Sequence, residues 1–238
     1  MSEPLYKLGG LRFWSEKEIL FREMATTHIT ATVSKTLRDI NNAWYIERVE
    51  SPILTPSDFV SKEYSDNDVF STNHSANGQP LALRAETTMG SYQYAQHSRK
   101  KLPLCIWQAG KSFRRELNDG ASASKLRFLE FWQLEFQCIY SSTTKADYRG
   151  EMIKAIRKDV EMFMGKESRV VPSDRLPSYS ESTLDIELNT TKGWKEIASC
   201  SIRNDYTNAI VTEISIGLDR IVSLAQNCLT TRQTCDSI

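Results

Sequence analysis

The sequence predicts an α+β fold, an antiparallel β-sheet flanked by helices. Three observations carry this. Short apolar or alternating runs are bounded by turn residues and joined by hairpin signals, the clearest being Asn77-Gly78. Segments with helical stripes are inserted between those runs instead of alternating with them one for one. Neither G-x-G-x-x-G nor G-x-x-x-x-G-K-[ST] occurs, so the phosphate-binding devices of doubly wound sheets are missing.

The elements follow in order. Ser15-Glu16-Lys17-Glu18 has the spacing of a helix capping box. Beyond it, Ile29, Val33, Leu37, Ile40 and Trp44 recur in steps of three or four, one helical stripe. Tyr45 to Glu50 reads as extended, and Pro52 and Pro56 end any helix. Residues 71–81 read as a hairpin, with Leu81 to Arg84 as its returning strand. Thr87 to His97 is expected to be a helix and Leu104 to Trp107 a short buried strand. Phe113 to Leu117 and Arg127 to Tyr140 are expected to be the arms of a long antiparallel pair around the polar loop 118–124. Tyr148, Met152, Ile156, Val160 and Phe163 mark an amphipathic helix. Leu184 to Leu188, Trp194 to Cys200 and Val211 to Ile216 read as strands, the last meeting Gly217 and a helix from Leu218 to about Ala225. The expected organisation is one domain over 1–225 and a polar tail over 226–238.

Composition sets bounds on function. A length of 238 residues suits one large domain with its own core. Thirty Lys+Arg against 30 Asp+Glu exclude a wholly polybasic nucleic-acid glove while allowing a local basic groove. The five Cys are scattered, with no C-x-x-C pair, and only three His accompany them. That usage points to free thiols in a reducing compartment and away from a thiolate zinc site. No secretory pattern opens the chain and no apolar run reaches the ~18 residues of a membrane span, so a cytoplasmic location is expected.

Chemistry concentrates in two places. The first runs from Phe113-Arg114-Arg115-Glu116 to Arg127-x-x-x-Phe131-x-x-x-Glu135. Residues two apart on a strand share a face. Guanidiniums bind phosphate oxygens, an aromatic face stacks on a purine, and a carboxylate accepts from an exocyclic amine. The same pattern also describes a solvated strand face with cross-strand Arg–Glu pairs, and alone it leaves both readings open. The second place is Glu213-Ile214-Ser215-Ile216-Gly217-Leu218-Asp219-Arg220, where Gly217 allows a tight turn from strand to helix. A cation at a helix start opposes the helix dipole, so Arg220 is either paired with Asp219 or Glu213, or held for an anionic ligand.

Together these segments resemble motifs 2 and 3 of the class II aminoacyl-tRNA synthetases, F-R-x-E…R/H-x-x-x-F-x-x-x-D/E and G-hydrophobic-D/E-R. The Ile29–Trp44 stripe with Glu50-Ser51-Pro52 is similar to motif 1. The resemblance narrows to the glycyl branch. Leu83-Arg84-Ala85-Glu86-Thr87-Thr88-Met89-Gly90 resembles L-R-P-E-T-A-Q-G, and Gln108-Ala109-Gly110-Lys111-Ser112-Phe113-Arg114 resembles Q-I-G-K-A-F-R. Leu184-Asp185-Ile186-Glu187, Gly193-Trp194-Lys195-Glu196 and Arg203-Asn204-Asp205-Tyr206 resemble V-D-I-E, G-W-x-E and R-T-D-Y. Departures cluster around the amino-acid end: Ala85 and Ile214 stand for Pro, Met89 for Gln, Gln137 for Glu, and Ser199-Cys200-Ser201-Ile202-Arg203 for G-x-A-D-R.

The resemblance implies roles. Arg114 would hold the α-phosphate of ATP, and Arg127 and Arg220 the γ-phosphate end. Phe131 and Arg220 would sandwich the adenine, and Glu116 would read its amino group. Glu196, with Ser199, would carry Mg²⁺. Glu86, Glu213 and Ser215, with Arg203 reaching the same pocket, would bind the amino acid, glycine by analogy. Arg114 and Arg220 would be the catalytic pair. The implied activity is formation of an aminoacyl-adenylate and transfer to an acceptor, a tRNA acceptor stem or another molecule, by a homodimer without the anticodon-binding domain. The competing reading is a non-catalytic relative serving as an accessory subunit.

Overall fold

Helix α1 (Glu16–Ile40) begins where the capping box places it, with the Ser15 N–H donating to Glu18 Oε2 at 2.8 Å. The structure is a computed structural model and describes residues 10–61, 64–115, 120–206 and 209–231. Ala25, Ile29, Val33 and Leu37 of α1 are buried. The stripe stops there. Ile40 is exposed, and Trp44 lies beyond the helix, buried against Tyr140 and Tyr148.

The chain then runs through β1 (Tyr45–Arg48), β2 (Leu54–Pro56), α2 (Ser57–Ser61), β3 (Ser71–Ala76), β4 (Gln79–Leu83) and α3 (Thr88–His97). Asn77 and Gly78 both have positive φ at the β3–β4 tip, the conformation that an Asn-Gly hairpin turn requires. Next come β5 (Leu104–Phe113), β6 (Glu130–Ser141), α4 (Tyr148–Met164), β7 (Ser168–Pro172), β8 (Ser180–Thr190), β9 (Gly193–Arg203), β10 (Ala209–Gly217) and α5 (Leu218–Thr231). Helix α5 thus continues past Ala225, where the sequence reading ends it.

Among the described residues the main sheet has seven strands in the order β1-β5-β6-β10-β9-β8-β7. Every pairing is antiparallel except β1 with β5. A small sheet, β2-β4-β3, stands beside it. The expected α+β class, an antiparallel sheet flanked by helices, holds.

The long antiparallel pair is displaced from its expected place. Its first arm is β5, not 113–117, and the ladder ends at the pair Phe113↔Glu130. Arg114 follows one strand and Arg127 precedes the other, in a loop where the Arg127 N–H donates to Ser122 O at 3.1 Å. Neither is therefore a strand-face residue.

Pleating divides the sheet into two faces. Leu134, Phe136 and Cys138 of β6, Ile214 and Ile216 of β10, and Ala198 and Cys200 of β9 point into one core with the stripes of α1, α4 and α5. Their alternates Gln133, Glu135, Glu213, Ser215, Ser199 and Ser201 therefore lie on the opposite, polar face. The site occupies that face.

Candidate active site

A cavity of about 680 Å³ opens on the polar face. That volume is in the range of small-molecule sites. Its walls include Arg114, Arg127, Phe131, Arg220 and Glu196, together with Glu86, Glu213, Ser215 and Ser199. Residues from five separate stretches of sequence thus converge on one space. Glu116 lies outside the described residues.

At the shallow end, Arg114 leaves β5 with its Cζ 5.2 Å from both the Phe131 and the Tyr64 ring centroids. Its Nε donates to Ala85 O at 3.1 Å, and its Nη2 is 3.4 Å from Glu86 Oε2. Arg114 thus supplies a guanidinium in contact with the Phe131 ring. Among the described residues Arg220 makes no ring contact there. It is drawn to Glu196, with Nη1 3.3 Å from Oε1, and its Nε donates to Leu126 O at 3.3 Å. Neither Asp219 nor Glu213 pairs with it: Asp219 is taken by Arg22 at 3.0 Å. Gly217 does not need a left-handed backbone. A Cβ there would meet Arg220 Cδ at 3.3 Å, so its small size makes room for that side chain.

The deep end is carboxylate-rich and buried. Glu86 accepts from the Tyr64 hydroxyl at 2.6 Å. Glu213 Oε1 accepts from the Tyr179 hydroxyl at 2.9 Å, and its Oε2 accepts from Gln137 Nε2 at 2.7 Å and Arg203 Nη1 at 2.5 Å. Burial pushes the Glu213 carboxyl up, with Arg203 opposing. Glu135 is fully buried and accepts from the Ser91 hydroxyl and from Gln137 Nε2 at 2.6 Å. Burial, reinforced by the Glu213 charge, pushes its carboxyl up to about 8. Ser215 is hydrogen-bonded to Gln133.

Arg203 does not line the cavity as expected. Its guanidinium is clamped between the rings of Tyr92 and Tyr179, at 3.9 and 3.8 Å from their centroids, and pairs with Asp205 and Glu213. All its charge is spent on these groups, so it reaches the cavity only through Glu213. Sequence reasoning also missed Tyr64 and Tyr179, which carry no motif, and it quoted Asp185 only as a match. Asp185 lines the cavity opposite Ser199 in the β8–β9 register, and its Oδ1 is buried with no hydrogen-bond partner among the described residues. Burial pushes its carboxyl up to about 6.

Fold and site together define a class II aminoacyl-tRNA synthetase core. The sequence model of the family "tRNA synthetases class II core domain (F)" matches residues 16–227, and the chain belongs to that family. Among curated proteins it is similar to glycine–tRNA ligases. That of Alkaliphilus metalliredigens is 32% identical over 162 residues, 61% of this chain and 34% of the relative. That of Geobacillus kaustophilus is 36% identical over 145 residues, 57% of this chain and 30% of the relative. The chain thus spans about a third of the length of these relatives. Among solved structures, the prolyl-tRNA synthetase of Giardia lamblia in complex with prolyl-adenylate superposes with TM-score 0.69 at 18% identity, covering 92% of this chain and 48% of that one. The Cryptosporidium parvum prolyl-tRNA synthetase complexed with halofuginone and AMPPNP gives TM-score 0.68 at 15% identity, with the same coverage. Those two likenesses bear on the fold alone.

Proposed function

We propose that this core activates an amino acid, glycine, with ATP and passes the aminoacyl group to an acceptor, a tRNA acceptor stem or another molecule. The observation that carries the reading is a single cavity with guanidiniums and an aromatic ring at one end and buried carboxylates at the other. In the reaction an oxygen of the amino-acid carboxylate attacks the α-phosphorus of ATP, and the bond to pyrophosphate breaks. The attacking carboxylate is already ionised at neutral pH, so no general base is required. Arg114 and Arg220 stabilise charge at the reacting phosphates, with Arg127 towards the γ-phosphate. Phe131 stacks the adenine, and Glu116 reads its amino group. Glu86, Glu213 and Ser215 receive the ammonium and crowd the α-carbon, so that a methyl group is excluded. The glycine–tRNA ligase relatives favour glycine over other small amino acids.

Mg²⁺ fits the oxygen donors present. Glu196 and Ser199 would hold it, and the orphaned Asp185 oxygen in the same cavity is the kind of group a divalent cation satisfies. When bound, Mg²⁺ neutralises charge on phosphate oxygens. The proposed assembly is a homodimer in the cytoplasm. Among the described residues no helix is long and apolar enough to cross a membrane.

The test is exchange of labelled pyrophosphate into ATP with each amino acid in turn. Exchange with glycine alone supports the reading, and loss of that exchange in Arg114→Ala, with folding retained, supports the assigned site. Absence of exchange with every amino acid, with or without tRNA, would overturn it in favour of an accessory role.

A further inference from the structure

Asp219 joins three elements that the proposed ATP site depends on. Strand β10 ends at Gly217, paired with Gln133 of β6. One residue earlier on β6, the Trp132 N–H donates to Asp219 Oδ2 at 2.9 Å, so a side chain takes over where the strand pairing ends. The other oxygen, Oδ1, accepts from Arg22 Nη1 of helix α1 at 3.0 Å. Arg22 also lies over the Trp132 ring, 4.7 Å from its centroid. Asp219 is 1% exposed and Arg22 is 9% exposed. The residues next to the two anchored positions are Phe131 and Arg220. One carboxylate therefore fixes the start of α5 against the start of β6, and with it the spacing between the adenine platform and the arginine of α5.

We infer that Arg22 is a positioning residue for ATP, acting through Asp219. This rests on the functional reading above. Burial pushes the Asp219 carboxyl up; the Trp132 N–H, Arg22 and Arg12 oppose this, and of the two arginines Arg22 is the one hydrogen-bonded to it. Arg22 supplies its charge in fixed geometry, because its guanidinium is held both by the carboxylate and by the Trp132 ring. Without it the carboxylate protonates or turns towards water. Its grip on the Trp132 N–H then loosens, and Arg220 and Phe131 lose their common frame. Arg22 itself does not touch the nucleotide.

The experiment measures the Kd of a fluorescent ATP analogue, and kcat and KM for ATP in pyrophosphate exchange, with melting temperature recorded in parallel. Arg22→Met is expected to raise the analogue's Kd and the KM for ATP at least tenfold, while kcat at saturating ATP falls less than threefold. The double variant Arg22→Met with Asp219→Asn removes the orphaned charge and keeps an acceptor for the Trp132 N–H, so it is expected to recover affinity to within threefold of the parent. Where Arg22→Met fails to fold, Arg22→Lys, which keeps the charge and loses the planar fork, is expected to give an intermediate Kd. A lowered melting temperature with unchanged Kd would show that the pair only holds the fold and would overturn the inference. Failure of the double variant to recover affinity while folded would overturn it as well. If the parent protein binds no analogue and exchanges no pyrophosphate, the functional reading itself falls. That result is distinct from parent-like binding in the variants.

Discussion

Arg203 Nη1 stands 2.5 Å from Glu213 Oε2, and both side chains are 6% exposed. Glu213 lines the carboxylate end of the cavity, and Arg203 stands behind it and holds it in place as an acceptor. Arg203→Met is expected to leave Glu213 as an uncompensated buried charge. Breaking such a pair costs about 3–5 kcal/mol. Urea unfolding should show that loss, and the double variant with Glu213→Gln should regain most of it. In the proposed reading Arg203 sits behind the amino-acid end, so in pyrophosphate exchange the single variant should raise the KM for glycine more than the KM for ATP.

Glu135, fully buried behind the cavity, makes folding stability depend on pH. Burial and the neighbouring Glu213 charge push its carboxyl from 4.5 up to about 8. Between those values the folded protein holds a proton that the unfolded chain releases. The raised folded-state pKa therefore favours the fold at low pH, and this contribution is lost as pH rises through about 8. Glu135→Gln removes the titration. Relative to the parent, the variant should be close in stability near pH 5 and more stable by a few kcal/mol near pH 9. Denaturant midpoints across that range check it, and a parallel pH dependence in the two proteins would refute the assignment.

Gly90 is a packing position rather than a turn. A Cβ there would overlap the Ser51 side chain. Ser51 is not free to retreat, since its Oγ donates to Gln108 Oε1 at 3.1 Å and accepts from Arg84 Nη1 at 2.9 Å. Arg84 in turn donates to Lys111 O at 2.7 Å, tying the segment before Glu86 to β5. Gly90→Ala should destabilise by about 1–3 kcal/mol. Ser51→Gly in the same chain should recover part of that, measured by thermal unfolding.

The parts of the molecule visible in sequence are those with a local cause. The capping box at Ser15, the Asn77-Gly78 tip and the α4 stripe each involve neighbours a few residues apart, and each is in place. Strand β5 was legible only to Trp107, because the rest of it faces polar partners. Gln108 binds Ser51, Ser112 donates to Gln133, and Gly110 leaves room for Arg84. That composition has no apolar alternation to read. The convergence of Arg114, Phe131, Glu213 and Arg220 was implied by the resemblance to the class II synthetase motifs. The partners that tune them were not. Arg22 and Asp219 are 197 residues apart, and Tyr64 and Tyr179 reach Glu86 and Glu213 from segments with no pattern of their own.

Glu196 offers the clearest separation of metal and phosphate roles. Its carboxylate is 3.3 Å from Arg220 Nη1, while the same nitrogen also donates to its main-chain oxygen at 3.2 Å. Glu196→Gln keeps the main-chain contact and the side-chain shape but removes the negative charge. In the proposed reading that charge holds Mg²⁺ with Ser199, so the Mg²⁺ concentration for half-maximal exchange should rise at least tenfold, with the KM for glycine little changed. The Glu196 side chain is 46% exposed, so its ion pair with Arg220 adds little to folding and the melting temperature should barely move. If Mg²⁺ dependence stays as in the parent while ATP affinity falls, Glu196 serves only to orient Arg220, and the metal belongs elsewhere in the cavity, with Asp185 the next residue to test.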